Sequence, residues 1–241
     1  MQGLLINLIM ILDLNNWPGK ERREPEIYSP AYPTLTRIVD CLKKEIEGEF
    51  FEKVLDFGCG EKPYFPFFEG KFKEYIGVDI SDSPVQNKSA DYTIKQGERL
   101  SFAENSFDFI LSTQVFEHLE NPQIYANELY RVLKGGKTAF ISAAFCWEFH
   151  PYPNDYWRIT PDAYKALFKN FSSIEIIPDL DTLSSLMQNF NLLFSRRFIG
   201  KYPKMTKIFT KFLNKIIVKR FRKSKQKDFL LPGNYFIYLK K

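Results

Sequence analysis

Val54-Leu55-Asp56-Phe57-Gly58-Cys59-Gly60 is a short apolar run that stops at an acidic residue and then turns through two glycines. Such a run is the pattern of a buried strand, and the glycines mark a tight turn where backbone comes close to a ligand. Further on, Glu74-Tyr75-Ile76-Gly77-Val78-Asp79 is a second apolar run that ends on a carboxylate. In an open parallel sheet ligands bind beyond the carboxyl ends of the strands, so Asp56 and Asp79 are expected on one rim.

An acid at the end of the second strand is well placed to accept hydrogen bonds from the two hydroxyls of a ribose. The longer stretch Asp56-Phe57-Gly58-Cys59-Gly60-Glu61-Lys62-Pro63-Tyr64 resembles the first motif of the class I S-adenosylmethionine (SAM)-dependent methyltransferases, most closely their small-molecule, type 11-like subfamily. Dinucleotide-binding proteins use Gly-x-Gly-x-x-Gly at this place, and Pro63 stands where their third glycine would be. The resemblance covers about residues 50 to 175. It implies an α/β, Rossmann-like, seven-stranded doubly wound sheet with an antiparallel last strand.

It also implies SAM as the cofactor. Gly58, Cys59 and Gly60 would lie against its methionine portion, with Asp56 orienting the turn or meeting the amino group. Asp79 and Ile80 would hold the ribose, and Gln96, Gly97 and Glu98 would frame the adenine. Gln96 stands where relatives usually carry aspartate, yet an amide both donates and accepts at an adenine edge. Thr113 and Gln114, after the fourth strand, complete the set.

The remaining elements follow from periodicity. Thr34 is expected to cap a helix carrying Leu35, Ile38, Val39, Leu42 and Ile46, which Gly48 stops. Asp91 to Ile94 reads as a third strand and Ser106 to Ser112 as the fourth, with the family's Ser-Phe-Asp signature. Asn121 and Pro122 open a helix whose Tyr125, Leu129, Val132 and Leu133 face the sheet until Gly135-Gly136. Lys137 to Ala144 is strand five, Pro161 to Phe168 a helix, Ser173 to Pro178 strand six and Tyr235 to Leu239 strand seven.

Composition sets outer bounds. The 241 residues, 44% of them hydrophobic and 24 of them phenylalanine, suffice for a packed core. The domain reading is a lead-in over 1–33, a methyltransferase domain over 34–178 plus 233–241, and an insertion over 179–232. Cys41, Cys59 and Cys146 are too few and too scattered for a disulfide framework or a zinc site, which favours a reducing, cytoplasmic setting. Gly3 to Leu12 is apolar but lacks a basic flank and a cleavage pattern, so it is expected to pack on the domain rather than to serve as a signal, with shallow membrane contact as the alternative.

The net charge of +5 hides an asymmetry. Arg196 to Lys227 holds thirteen Lys or Arg and no Asp or Glu, so the remaining 21 basic residues face 29 acidic ones. Within this insertion Met205, Ile208, Phe209, Phe212, Leu213, Ile216, Ile217 and Phe221 form one apolar face, with Lys207, Lys211, Lys215 and Lys219 beside it. We expect residues 183–227 to form amphipathic helices that dock on an anionic membrane surface at its inner face, too narrow and too lysine-rich to span it. The competing expectation is a lid whose apolar face packs on the domain.

The stretch Trp147 to Thr160 follows strand five on the cofactor rim and is dense in aromatic and polar groups. Asp155-Tyr156-Trp157-Arg158-Ile159-Thr160 resembles an element of methyltransferases acting on glycans and other cell-envelope precursors. It implies an acceptor pocket with Tyr152, Tyr156 and Arg158 as substrate-binding residues, and it suggests a saccharide or lipid-linked glycan precursor as methyl acceptor. A sugar hydroxyl benefits from a general base, and His150 is the candidate, with Asp155 orienting it or acting as base itself. Some relatives hold a divalent metal with Glu-x-x-Glu-His. Here Gln114 takes the first position, Glu117 and His118 alone make a poor site, and no metal is expected. The alternatives are an RNA methyltransferase, against which the acidic balance of the catalytic portion counts, and a non-catalytic SAM-binding or membrane interaction protein.

Overall fold

A computed structural model describes residues 17–81, 89–151, 154–223, 228 and 230–241. The expectations for Gly3 to Leu12 and for Tyr152 lie outside these residues, as do Lys225 and Lys227. Seven strands form one sheet: β1 (Phe51–Phe57), β2 (Phe72–Ile80), β3 (Tyr92–Ile94), β4 (Phe107–Thr113), β5 (Leu133–Ala144), β6 (Ser173–Pro178) and β7 (Asn234–Lys240). Their order is β3-β2-β1-β4-β5-β7-β6. The first five strands run parallel, and β7 lies antiparallel between β5 and β6. This is the expected doubly wound topology.

Helices cover both faces because the parallel strands are apolar on both sides; β4, at the centre, is buried at every position. The helices are α1 (Lys20–Arg23), α2 (Tyr32–Glu45), α3 (Pro122–Val132), α4 (Pro161–Leu167), α5 (Thr182–Phe198) and α6 (Pro203–Lys223). Tyr125 and Leu129 of α3 and Tyr164 of α4 pack on one face with Leu55, Ile110 and Ile141. Ile38 and Leu42 of α2 pack on the other with Val54, Phe109 and Phe140.

Three local readings are corrected. Thr34 does not cap α2, which starts two residues earlier because Pro33 suits a first turn that needs no N–H. Its buried hydroxyl donates instead to Asp179 Oδ2 at 2.7 Å. Leu133 opens β5 rather than closing a helix, and Gly135-Gly136 lie within that strand. Helix α4 ends at Leu167, with Phe168 just past its last turn.

The insertion is helical, as expected, and most of its apolar stripe faces outward. Thr206, Thr210, Asn214 and Ile217 are the buried positions of α6, whereas Met205, Ile208 and Phe212 are 70%, 68% and 59% exposed. Helix α5 repeats the arrangement, burying Ser184, Gln188, Asn191 and Ser195 and exposing Leu186, Phe190 and Leu193. The two helices join through a polar seam, in which Asn191 Nδ2 donates to Asn214 Oδ1 at 3.0 Å and the Ser195 and Thr210 hydroxyls meet at 2.8 Å. Asn214 Nδ2 donates onward to the Ile27 and Ser29 carbonyls. A lid closed by the apolar stripe is therefore not the arrangement; the inward face is the polar one.

Candidate active site

The register sets Phe57 opposite Val78, so the glycine turn begins beside Asp79. Gly60 N–H donates to Asp79 Oδ2 at 3.0 Å and Ile80 N–H to Asp79 Oδ1 at 2.7 Å, so the carboxylate braces the turn. The two glycines are needed for different reasons. At Gly58 (φ 71°) a Cβ would fall 2.2 Å from a Val115 methyl carbon, whereas at Gly60 (φ 49°) it would meet open space. Gly58 is thus packed against Val115, and the space beside Gly60 is open. The Cys59 side chain is buried and lies toward Gly77, where an added Cβ would fall 2.8 Å from its sulfur, leaving its backbone to the turn.

Asp56 is buried and accepts the Tyr75 hydroxyl at 2.6 Å. Burial pushes its carboxyl up to about 7, against the pull of Tyr75 and Lys62. Lys62 bonds Asp91 at 2.6 Å, and Asp91 also takes the Gly77 N–H. Trp17, whose role the sequence did not suggest, donates to the Lys62 carbonyl at 2.9 Å and stacks on Phe65 at 4.7 Å, so the lead-in packs over the residues that follow the glycine turn.

The Gln96–Glu98 segment is pinned by Tyr125, which accepts the Gly97 N–H at 2.9 Å. Gln96 Nε2 donates to the His118 carbonyl at 3.0 Å, while its Oε1 is buried without a partner. An orphaned acceptor here and open space beside Gly60 and Gly97 fit SAM, whose adenine carries an amino donor. Thr113 is buried at the end of β4, and Gln114, at φ 57°, donates through its backbone to Ser142. SAM would supply an electrophilic methyl group on a positively charged sulfur.

Beyond β5 the chain is latched. Arg158 forms a bidentate pair with Asp155, the second bond at 2.8 Å, and also donates to the Glu148 and Trp157 carbonyls. Burial opposes the Asp155 charge, but Arg158 and the His150 N–H hold its pKa below the ordinary carboxylate value. Both Asp155 oxygens are engaged, by Arg158 and by the His150 N–H. Arg158 is equally committed to this latch. Tyr156 and Trp157 are exposed, with their backbone N–H groups bound to the Glu117 carbonyl.

The latch has a consequence that the sequence did not predict. It brings His150 to His118, with ring centroids 5.0 Å apart, and both to Glu117. Burial pushes Glu117 up to about 7 and lowers His118. The view that Glu117 and His118 stand alone is therefore corrected; the third group is 32 residues away in sequence and no spacing rule reaches it.

The comparisons with known proteins agree with this architecture. Residues 55–141 match the family described as "Methyltransferase domain". An uncharacterised methyltransferase of Mycobacterium sp. strain JLS is 33% identical over 94 residues, 37% of this chain and 37% of that protein. A Methanocaldococcus jannaschii protein is 40% identical over 74 residues, 29% of this chain and 36% of its own length. The chain thus spans little more than a third of these relatives. Among solved structures, a SAM-dependent methyltransferase from Archaeoglobus fulgidus superposes with TM-score 0.53 at 16% identity, covering 92% of this chain and 97% of that one. A Haemonchus contortus phosphoethanolamine N-methyltransferase, solved with S-adenosylhomocysteine, gives 0.53 at 15% identity over 89% of this chain and 56% of its own. These likenesses speak for the fold, and the first motif, the braced glycine turn and the matched segment speak for the cofactor. Residues 55–141 match a methyltransferase domain, and the sheet around them has the fold of the SAM-dependent methyltransferases on which it superposes.

Proposed function

We propose that this chain transfers a methyl group from SAM to a hydroxyl of a saccharide or lipid-linked glycan precursor in cell-envelope polysaccharide synthesis, working at an anionic membrane surface. The observation that carries the reading is the Asp155–Arg158 latch, which holds His150 on the cofactor rim beside two exposed aromatic rings, Tyr156 and Trp157. Aromatic faces suit sugar rings, and a hydroxyl acceptor needs a group to take its proton. His150 has Nδ1 facing the Glu148 carbonyl at 2.9 Å and Asp155 at 3.3 Å, so its proton sits there and Nε2 keeps its lone pair. In the transfer the acceptor oxygen bonds to the methyl carbon as the carbon–sulfur bond breaks with its electron pair on sulfur, and the hydroxyl proton goes to His150.

Support for the membrane surface comes from the outward apolar stripe of α5 and α6 and the lysines that flank it. Among the described residues no helix is long and apolar enough to cross a membrane, and the attachment proposed is in-plane. The test is incubation with isotopically labelled SAM and a panel of free and lipid-linked saccharides. We expect label in an ether methyl of a lipid-linked acceptor, lost by His150→Ala while S-adenosylhomocysteine affinity is kept. Label transferred only to an amine, or only to RNA, would overturn the acceptor class.

A further inference from the structure

We propose that Glu117, His118 and His150 form a binding site for one divalent transition-metal ion of the Zn2+ or Mn2+ type. One ligand atom from each lies within 4.8 Å of the others. Glu117 is 1% exposed, its Oε1 takes the Ala144 N–H at 3.4 Å, and its Oε2 is buried without any hydrogen-bond partner. A buried carboxylate oxygen with no donor is a group in want of a cation or a proton donor.

Both imidazoles are already set up as ligands. Nδ1 of His118 faces the Asn154 carbonyl, and Nδ1 of His150 faces the Glu148 carbonyl and the Asp155 carboxylate. Protons therefore sit on the two Nδ1 atoms, and each ring turns an Nε2 lone pair away from its anchor. Acceptors behind ligating histidines are the usual outer partners of a metal centre, fixing tautomer and ring orientation. Asp155 is such a partner for His150, and its own charge is held by Arg158.

The donor set decides the ion. Two imidazoles with one carboxylate suit Zn2+, Mn2+ and their neighbours, while Mg2+ and Ca2+ prefer all-oxygen sites. Three protein ligands leave a position open, which is the pattern of a catalytic rather than a structural centre. Bonds of about 2.1 Å would draw tetrahedral ligands to about 3.4 Å from one another, so the cluster must close by a little over 1 Å. His150, on a loop, can make that adjustment; Glu117, packed behind β5, need not.

The inference rests on the reading that the acceptor is presented at this loop, and it reassigns the His150 Nε2 lone pair from proton acceptor to ligand. Held by Glu117, His118 and His150, such an ion would supply Lewis acidity that lowers the pKa of an acceptor hydroxyl at its open position.

The experiment is calorimetric titration of the full chain, stripped with chelator, with Zn2+ and Mn2+ and with Mg2+ and Ca2+ for comparison. We expect one Zn2+ or Mn2+ per chain, bound at least tenfold tighter than Mg2+ or Ca2+. His150→Ala and Glu117→Gln should each weaken it tenfold or more, while Cys146→Ser leaves it unchanged. His150 is on a loop, so its variant keeps the test valid if Glu117→Gln fails to fold. Absence of saturable binding, or binding indifferent to His150→Ala, overturns the site. S-adenosylhomocysteine titrated into the same samples keeps the two readings apart: its binding without metal rejects this inference alone, and metal binding without it rejects the methyltransferase reading alone.

Discussion

The Gly60 N–H lies 3.0 Å from the Asp79 carboxylate, tying the glycine turn after β1 to the end of β2. One side chain thus braces the turn and stands where a ribose would be held. Asp79→Ala should weaken SAM and S-adenosylhomocysteine about tenfold or more, since loss of one partner of a buried polar contact costs about 1–3 kcal/mol. Calorimetry on the folded variant checks this, and unchanged affinity would remove Asp79 from the cofactor site.

Gly58 and Gly60 should respond differently to alanine. Gly58→Ala forces a Cβ to within 2.2 Å of Val115 and should lower the thermal midpoint. Gly60→Ala meets open space, so its cost is backbone strain of about 1–2 kcal/mol plus obstruction of the ligand. Thermal unfolding with and without S-adenosylhomocysteine separates them: the Gly60 variant should lose most of the ligand-induced rise, the Gly58 variant most of its basal stability. Identical losses in both would show that the two glycines have one role.

Stability should depend on the Asp56 charge. Its folded carboxyl is raised by burial from 3.8 to about 7, so its contribution to stability is complete below about pH 4 and is lost as the pH rises through about 7. The midpoint of the parent should fall across that window, and Asp56→Asn should reduce the fall. Glu117, raised to about 7 by its own burial, keeps part of the slope in the variant. Each kcal/mol moves the midpoint of a chain this size by about 2–4 °C, within reach of scanning calorimetry. A slope unchanged by Asp56→Asn would mean that Asp56 ionises normally.

Ile208 and Phe212 should govern lipid binding. Both are exposed on α6, so replacing them with Glu removes no core contact and should leave the unfolding midpoint unchanged. In liposome flotation the parent should rise with anionic vesicles and weakly or not at all with neutral ones, each basic residue near the surface contributing on the order of 1 kcal/mol. The double variant should stay at the bottom. Flotation of the parent equal on both vesicle types, or undiminished in the variant, counts against membrane attachment.

Buried Asp179 shows how tertiary context overrides local patterns. It accepts from Thr34, from the Asn234 backbone and side chain, and from the Leu180 N–H, joining α2, the end of β6 and the start of β7. Thr34 reads as a cap because Ser and Thr often are caps; a carboxylate 145 residues away claims its hydroxyl instead.

The sequence by itself determined the sheet and the cofactor rim of this protein. Apolar runs that end on Asp56 and Asp79, followed by glycines and then by a third and fourth strand, specify buried parallel strands, because periodicity and glycine conformation are local properties of the chain. Strands β6 and β7 were legible as apolar runs for the same reason, while the antiparallel direction of β7 followed from the family resemblance. Only the tertiary structure decided which stripe of α6 faces inward: the period of Met205, Ile208 and Phe212 predicts an amphipathic helix, but the polar partners Asn191, Ser195 and the Ile27 and Ser29 carbonyls capture the other side. Likewise only the fold brought His150 to Glu117 and His118. That meeting depends on the Arg158–Asp155 latch closing a loop across the rim, and contacts between distant segments are set by packing rather than by spacing along the chain.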